Sequence, residues 1–300
     1  MGKELAEQFP ECREVFAEVD EALGEPLSDL IFNGPAETLT LTENTQPALL
    51  TTSIAAYRAL ASQGLEPDLV AGHSLGEYSA HVAAGTFGLA DAVRVVRNRG
   101  RYMQEAVPVG TGAMAAILGL DADKVEQACR EASEGEVVSP ANLNAPRQVA
   151  IAGTAAAVAR ASARAKELGA KRVIALQVSA PFHCALMKPA ETRLAPELGV
   201  LRTKTPRVPI VANVDATPKR TATEAIDALV AQVSAPVKWE AVMRRLAAEG
   251  ATVFVEVGPG SVLSGLGRKI VPDAAFARIE RPEHVEDVVA VVAAQRGVRS

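Results

Sequence analysis

Residues 68–76, Asp68-Leu69-Val70-Ala71-Gly72-His73-Ser74-Leu75-Gly76, must pass from one kind of backbone to another within a few positions. The apolar run 68–72 reads as a buried strand, and residues 74–84 carry helical spacing. Gly72, Ser74 and Gly76 form G-x-S-x-G at the junction, in the strand–turn–helix setting that this motif requires. The constraint is steric. So sharp a turn forces the serine into a strained backbone conformation, and the flanking glycines let neighbouring elements approach closely. The serine oxygen then projects from the sheet edge at the positive end of a helix. The Leu75 N–H is placed to bind an oxyanion. A chance match at three positions is the plain alternative, and the flanking pattern argues against it.

The rest of the chain is consistent with layered strands and helices. Leu5, Phe9, Val15, Phe16, Val19 and Leu23 fall at helical spacing over 3–23, with Gly24 as the stop. A second helix is expected over 45–63, opened by Thr45 with Pro47 in its first turn. Another follows over 89–106. From Thr111 the texture changes to strand 113–118, helix 121–133, strands 137–142 and 148–152, helix 154–168 and strand 171–178. That order is the split βαβ or ferredoxin-like unit. Helix 184–198, strand 208–213, helices 222–232 and 237–248, strand 252–257 and helix 261–271 resume the larger pattern. The tail from Pro282 is expected to form one more helix. The fold class expected is α/β: a mostly parallel, hydrolase-like body (1–110 with 179–300) and an inserted ferredoxin-like subdomain (111–178).

Composition narrows the function. The net charge of -5 lacks the basic footprint of a nucleic-acid binder. No window approaches the ~18 uninterrupted apolar residues of a membrane span. The polar residues 1–10 carry no signal-peptide core. The three cysteines, at 12, 129 and 184, form no CxxC pair. A reduced, cytoplasmic protein without disulfides or a zinc site is expected.

With only four histidines in the chain, elimination points to a base for Ser74. His73 adjoins the serine on the turn and is expected to point elsewhere. His81 lies about 10 Å further along the same helix at ~1.5 Å per residue. His284 lies in the tail. His183 follows a strand's C-terminal end, where α/β sheets place their sites, and is the better candidate for general base. A capping or core histidine is the bland alternative. Asp91, Asp121 and Asp123 all look like helix-start residues. A Ser–His dyad, its imidazole oriented by an amide or a backbone carbonyl, is therefore expected. Arg99 falls beside the apolar stripe of helix 89–106. It either snorkels at the helix edge or waits for a carboxylate in a pocket, and spacing leaves both open. Gly258-Pro259-Gly260-Ser261 fails both phosphate-loop patterns and reads as a tight turn near the site. Cys184 reads as core and Trp239 as an anchor for the last helices.

Several stretches together resemble the malonyl-CoA:acyl-carrier-protein transacylases and the acyltransferase domains of polyketide and fatty-acid synthases. They are Thr45-Gln46-Pro47-Ala48-Leu49, Gly72-His73-Ser74-Leu75-Gly76-Glu77-Tyr78-Ser79-Ala80, Arg99-Gly100-Arg101-Tyr102-Met103-Gln104, Phe182-His183, Asn213-Val214 and Glu256-Val257-Gly258-Pro259-Gly260. The resemblance implies ping-pong transfer of a malonyl group from coenzyme A, through Ser74, to the phosphopantetheine thiol of acyl carrier protein. No metal or bound cofactor is implied, and the thioesters are substrates. Arg99 matches the arginine that pairs with the malonyl carboxylate. Gln232 looks like the residue that orients His183 through its main chain. His73 joins the substrate-binding set. Phe182 is similar to the malonyl-selecting pattern, since a phenyl ring would crowd an α-methyl branch. The carrier partner is acidic in this family, and Lys171, Arg172, Arg268 and Lys269 look like its docking positions; solvated surface is their alternative reading. The resemblance also implies a monomer.

Family members carry a strand and a Phe-Pro-Gly-Gln-Gly-Ser-Gln loop before the residues matching Gly2-Lys3-Glu4-Leu5. This sequence starts after that loop. The expectation is a gap in the parallel sheet and no glutamine as second oxyanion donor, a loss worth ~10²–10³-fold in turnover. Either an internal methionine has been taken as the start, or the protein is shortened and impaired. Two other readings compete. One is a G-x-S-x-G serine hydrolase, such as a thioesterase or patatin-like lipase. The other is a chain that only binds carrier protein.

Overall fold

The computed structural model describes residues 1–108 and 110–297. The chain opens with helices α1 (Lys3–Gln8) and α2 (Pro10–Leu23). They are two helices rather than the single one expected, because Pro10 pushes Phe9 into the extended region (φ -111°, ψ 118°). Gly24 ends α2 in the left-handed conformation, φ 67°. Helices α3 (Leu27–Asn33) and α4 (Ala36–Leu39) lead into α5 (Thr42–Ala61), which starts a turn earlier than expected and carries Pro47 inside it. The elbow leads into α6 (Gly76–Ala83), and α7 (Leu89–Glu105) follows. Leu89, Val93, Val96 and Met103 form the buried stripe of α7. This stripe joins residues of α2, α5 and later helices in the largest hydrophobic cluster.

Four strands then build an antiparallel sheet: β1 (Gly112–Leu118), β2 (Val138–Ala145), β3 (Gln148–Thr154) and β4 (Arg172–Ala175). Between them lie helices α8 (Ala122–Ala132) and α9 (Ala155–Glu167). The spatial order is β2-β3-β1-β4. Alternation decides the two faces. Ala115, Ile117, Val149 and Ile151 pack in one cluster with Val125, Ala128, Val158 and Ala161 of the two helices. Met114, Ala150 and Ala152 pack in another with Cys184 and Phe182. The second face thus abuts the segment that carries His183. The junction is also stitched by backbone: Asn142 bridges Val237 in parallel, Leu143 N–H donates to Val237 O at 2.9 Å, and Val237 N–H donates to Ala141 O at 2.9 Å.

The remaining body comprises α10 (Lys188–Gly199), β5 (Ile210–Val211), β6 (Pro218–Lys219), α11 (Ala222–Ala231), α12 (Trp239–Ala248), β7 (Val253–Val257), α13 (Val262–Ile270), β8 (Ala275–Ile279) and α14 (His284–Gly297). The expected mostly parallel sheet requires correction, because pairing is mixed. β7 and β8 are parallel, β5 and β6 are antiparallel, and the 68–72 run pairs only through Val70, parallel to Ile210. β8 adds to the expected elements, since its segment has no clean alternation to announce it. A cavity of about 780 Å³ separates the Val70 run from β7, lined by Leu69, Ala71, Phe254, Val255 and Ile54 among others. On its Ile210 side the run makes this single bridge, so it is not a full strand. No helix of the described residues is long and apolar enough to cross a membrane.

Gly100 marks a close approach of α7 to the start of α5, where a Cβ would lie 2.6 Å from Thr42 O and 2.7 Å from Glu43 Cα. Gly100→Ala is expected to cost about 1–3 kcal/mol by overpacking backbone that cannot yield. Gly265→Ala, with nothing within 4 Å of the added carbon, is expected to be neutral or to stabilise α13 by ~0.5–1 kcal/mol. Thermal melts followed by circular dichroism separate the two; equal melting temperatures would refute the packing argument.

Candidate active site

Ser74 and His183 both occupy the left-handed region, at φ 51° and 59°. Non-glycine residues enter it at a cost of about 1–3 kcal/mol, so the surrounding structure must hold them there. For Ser74 the turn is closed by contact: a Cβ on Gly72 would sit 1.9 Å from Gly76 C, so only glycine fits. The Ser74 N–H donates to Asn213 Oδ1 at 2.8 Å, and Asn213 Nδ2 donates to Gly72 O at 2.8 Å. The Ser74 carbonyl accepts from Gln232 Nε2 at 2.6 Å. Each end of the elbow is therefore tied to a segment distant in sequence.

The strand-end segment brings His183 Nε2 to 2.6 Å from Ser74 Oγ. His183 Nδ1 lies 3.0 Å from the backbone carbonyl of Gln232. A carbonyl can only accept, so Nδ1 carries the proton and Nε2 is the free base, accepting the Ser74 hydroxyl proton. Burial, Arg99 and His73 push the imidazole pKa down to about 3, which keeps it neutral over the physiological range. The acid that a triad would supply is replaced by a main-chain carbonyl. Asp121 serves as the N-cap residue of α8, and Asp91 sits in the first turn of α7.

Arg99 lies inside the protein, not at the helix edge. It is buried at 2 % exposure rather than snorkelling. Its guanidinium donates to Gln46 Oε1 at 2.6 Å, to Gln232 Oε1 at 2.9 Å and to Ser74 Oγ at 3.1 Å, and lies 5.3 Å from the Tyr78 ring centroid. Its Nε has no hydrogen-bond partner among the described residues, and no carboxylate there pairs with the guanidinium directly. Glu77, also buried, accepts from Gln232 Nε2 at 3.0 Å and from Asn213 N–H at 3.2 Å. Burial pushes Glu77 up to about 7, against the opposing pull of Gln232, Asn213 and Arg99. A cation with partly neutral surroundings is a ready seat for an incoming carboxylate.

The Leu75 N–H has no hydrogen-bond partner among the described residues and lies beside the nucleophile at the start of α6. Phe182 packs where the body meets the sheet. His73 adjoins Ser74 in sequence and lies close enough to His183 to lower the His183 pKa. Its Nε2 donates to Asn144 Oδ1 at 2.8 Å and its ring lies 5.5 Å from that of Trp239, which fixes it to the junction. Burial lowers its pKa. His81 stacks on Phe87 and His284 accepts the Glu280 N–H. Cys184 donates to Pro181 O, and burial pushes its thiol up to about 11, which makes it a poor nucleophile. Glu256 takes the Leu263 and Ser264 N–H groups at 3.0 and 2.7 Å, so a carboxylate occupies the amides that a phosphate would need.

Lys171, Arg172, Arg268 and Lys269 are all exposed and form no ion pair among the described residues. Register gathers them. Lys269 Nζ reaches Gln148 Oε1 at 3.4 Å, Gln148 pairs with Leu118, and Leu118 pairs with Arg172. Sequence reasoning assigns no role to Gln46, Glu77, Asn213 or Asn144. Gln46, Glu77 and Asn213 sit inside quoted motif stretches, and only folding shows what they touch. The described residues contain no group of three or more His, Cys, Asp or Glu that could hold a metal ion.

This is the geometry of a serine nucleophile activated by one histidine beside a buried cation, on an α/β scaffold. The acyl transferase domain matches residues 1–291, and the chain belongs to that family. It is similar to the malonyl CoA-acyl carrier protein transacylases of Bacillus subtilis (50% identical over 287 residues, 95% of this chain and 90% of that protein) and Escherichia coli K12 (51% over 283 residues, 94% and 92%). Among solved structures, an acyl carrier protein S-malonyltransferase from Vibrio cholerae superposes with a TM-score of 0.94 at 45% identity, covering 96% of this chain and 94% of the other. A malonyl-transacylase in complex with its type II polyketide-synthase acyl carrier protein superposes at 0.93, with 44% identity and coverage of 95% and 93%.

The geometry predicts how Ser74 responds to a serine-directed sulfonyl fluoride. Labelling should be lost in Ser74→Ala and slowed ~10²–10⁴-fold in His183→Ala, the range for removing a general base. Intact-mass kinetics check this; labelling of His183→Ala at the wild-type rate would show that the 2.6 Å contact does not activate the serine.

Proposed function

We propose that this enzyme transfers a malonyl group from malonyl-CoA to the phosphopantetheine thiol of acyl carrier protein, through an ester on Ser74. The observation that carries the reading is the buried Arg99 guanidinium 3.1 Å from Ser74 Oγ. A malonyl thioester holds its carboxylate one methylene from the reacting carbonyl. A carboxylate seated on Arg99 therefore leaves that carbonyl at the serine. As Arg99 Nη2 turns to the carboxylate, Ser74 Oγ regains the lone pair that had been bonded.

In the first half-reaction Ser74 Oγ attacks the thioester carbon and its proton passes to His183 Nε2. The Leu75 N–H stabilises the tetrahedral oxyanion. The intermediate collapses with cleavage of the C–S bond, and His183 returns the proton to the departing coenzyme A sulfur. In the second half the carrier thiol gives its proton to His183 and attacks the ester; Ser74 Oγ leaves and takes the proton back. Gln232 O holds the imidazole in one tautomer throughout. The cycle needs no metal or bound cofactor, and it takes a monomer as its working unit, since one chain supplies every group named. Phe182 is read as the residue that excludes an α-methyl branch. His73 is read as a member of the substrate-binding set, its ring held by Asn144.

The organisation read into this function is a hydrolase-like body, 1–110 with 179–300, and an inserted ferredoxin-like subdomain, 111–178, acting in the cytoplasm. The order β2-β3-β1-β4 with α8 and α9 on one face supports the subdomain reading. The carrier protein is read as acidic, docking on Lys171, Arg172, Arg268 and Lys269. Fatty-acid and polyketide synthesis both draw on this transfer, and the chemistry at Ser74 is the same for both.

Intact-mass measurement tests the acyl-enzyme. Malonyl-CoA is expected to add one malonyl group to Ser74, acetyl-CoA and methylmalonyl-CoA much less. Arg99→Ala should reduce malonyl acylation at least ~10-fold, the loss of a charge-assisted pair. Unchanged malonyl selectivity in Arg99→Ala would overturn the carboxylate assignment. A serine hydrolase would instead turn over to free malonate without a carrier. Separately, Arg172→Glu with Lys269→Glu should raise the KM for carrier protein, and do so most at low salt, while leaving acylation from malonyl-CoA unchanged.

A further inference from the structure

Glu77 is a carboxylate with no exposed surface, in the first turn of α6. Its Oε2 accepts two bonds, from Asn213 N–H and Gln232 Nε2, and its Oε1 has no partner among the described residues. No cation among them touches it. Arg99 reaches it only through the Gln232 amide, whose Oε1 accepts from the guanidinium at 2.9 Å while its Nε2 faces Glu77 at 3.0 Å. An amide between a cation and an anion has one favourable orientation, oxygen to the cation and nitrogen to the anion. A flip would set NH₂ against the guanidinium and a carbonyl oxygen against the carboxylate.

That orientation has consequences at the nucleophile. The Gln232 Nε2 that faces Glu77 also donates to Ser74 O at 2.6 Å. The Asn213 whose N–H is held by Glu77 accepts the Ser74 N–H on Oδ1 at 2.8 Å. Both polar groups that pin the strained Ser74 backbone are therefore pinned in turn by one carboxylate. We propose that Glu77 is a positioning residue for the transfer, acting through Gln232 and Asn213 to hold Ser74 and Arg99 in the reactive arrangement. The proposal rests on Ser74 being the acylated nucleophile.

Charge matters to this role, because the anion adds to the hold of Arg99 and Ser74 O on the amide, and the neutral acid does so far less. The groups facing Glu77 are Arg99 from α7, Tyr78 beside it on α6, and Asp215 near Asn213, with Gln232 and Asn213 as neutral partners. Burial places the Glu77 carboxyl at about 7, whereas His183 lies at about 3. Burial thus raises Glu77 and lowers His183, so a step near neutral pH is expected from Glu77, and its loss in Glu77→Gln makes the assignment. Reactivity should fall as pH drops through that region and the carboxylate takes up its proton.

The test uses the whole chain and two reagents. Phenylmethylsulfonyl fluoride forms a sulfonyl–oxygen bond at Ser74 with loss of fluoride, and its rate needs no malonyl site. Labelling is followed by intact mass from about pH 5.5 to about pH 8.5, corrected for reagent hydrolysis. Wild type should rise through a single step near neutrality. Glu77→Gln, nearly isosteric, should label about 10–100-fold more slowly at the upper end and lose the step. With malonyl-CoA, Glu77→Gln should lose kcat while KM stays level or falls, since an anion near Arg99 has gone. A purely structural role would lower the melting temperature and the active fraction but leave the labelling rate of the folded fraction at the wild-type value.

A wild-type profile without a step would overturn the proposal, even if Glu77→Gln fails to fold. So would wild-type labelling by Glu77→Gln, or a step that survives the substitution. Labelling with the expected step, but no malonyl adduct in wild type, would remove the malonyl reading and leave the positioning role standing.

Discussion

Gln232 holds four groups of the site through three of its own atoms. Its main-chain carbonyl takes the His183 Nδ1–H, its side-chain oxygen takes Arg99, and its side-chain nitrogen serves both Ser74 O and Glu77. It is wholly buried at the C-cap of α11. Ser74 and Glu77 of the elbow, Arg99 of α7 and His183 are thus referred to a single residue. Its position is set by α11, which opens with a capping box at Thr221 and Glu224. A correctly ended helix therefore carries the geometry of the reactive centre.

The strain at the site is consistent with this arrangement. Ser74 and His183 both hold backbone conformations that a free segment would leave. The energy to keep them there comes from packing elsewhere: the helical cluster around α5 and α7, and the sheet face that seats Cys184 and Phe182. Arg99 belongs to the same balance. Burial disfavours its cation and disfavours the Glu77 anion, and the amide between them lets both persist without a direct ion pair. The cation is then left free on the side of the serine.

The small sheet does more than decorate the body. Its helix-free face is alanine-rich where it meets the His183 segment, and its β2 strand is bonded to Val237, a few residues past Gln232. His73, next to the nucleophile, is tied to Asn144 on that same strand. The junction between the two parts of the chain and the reactive centre are one bonded assembly. His73 thus links the turn that carries Ser74 to the small sheet.

The elbow is legible in the chain alone, because G-x-S-x-G between a strand pattern and a helix pattern leaves the backbone few choices. The order of elements in 111–178 is legible too, where periods of two and 3.6 alternate cleanly, and scarcity of histidines isolates His183. Periodicity over 3–23 does not show the break unless Phe9-Pro10 is weighed, and it suggests a full parallel sheet where Val70 finds a partner on one side only. Arg99 stands between surface and pocket, since helical spacing gives an angle but not what lies opposite. Folding places Gln46, Gln232 and Ser74 there, and sets Glu77 against the same amide from behind. Those contacts join residues far apart in the chain, and local periodicity carries no information about which distant segments meet.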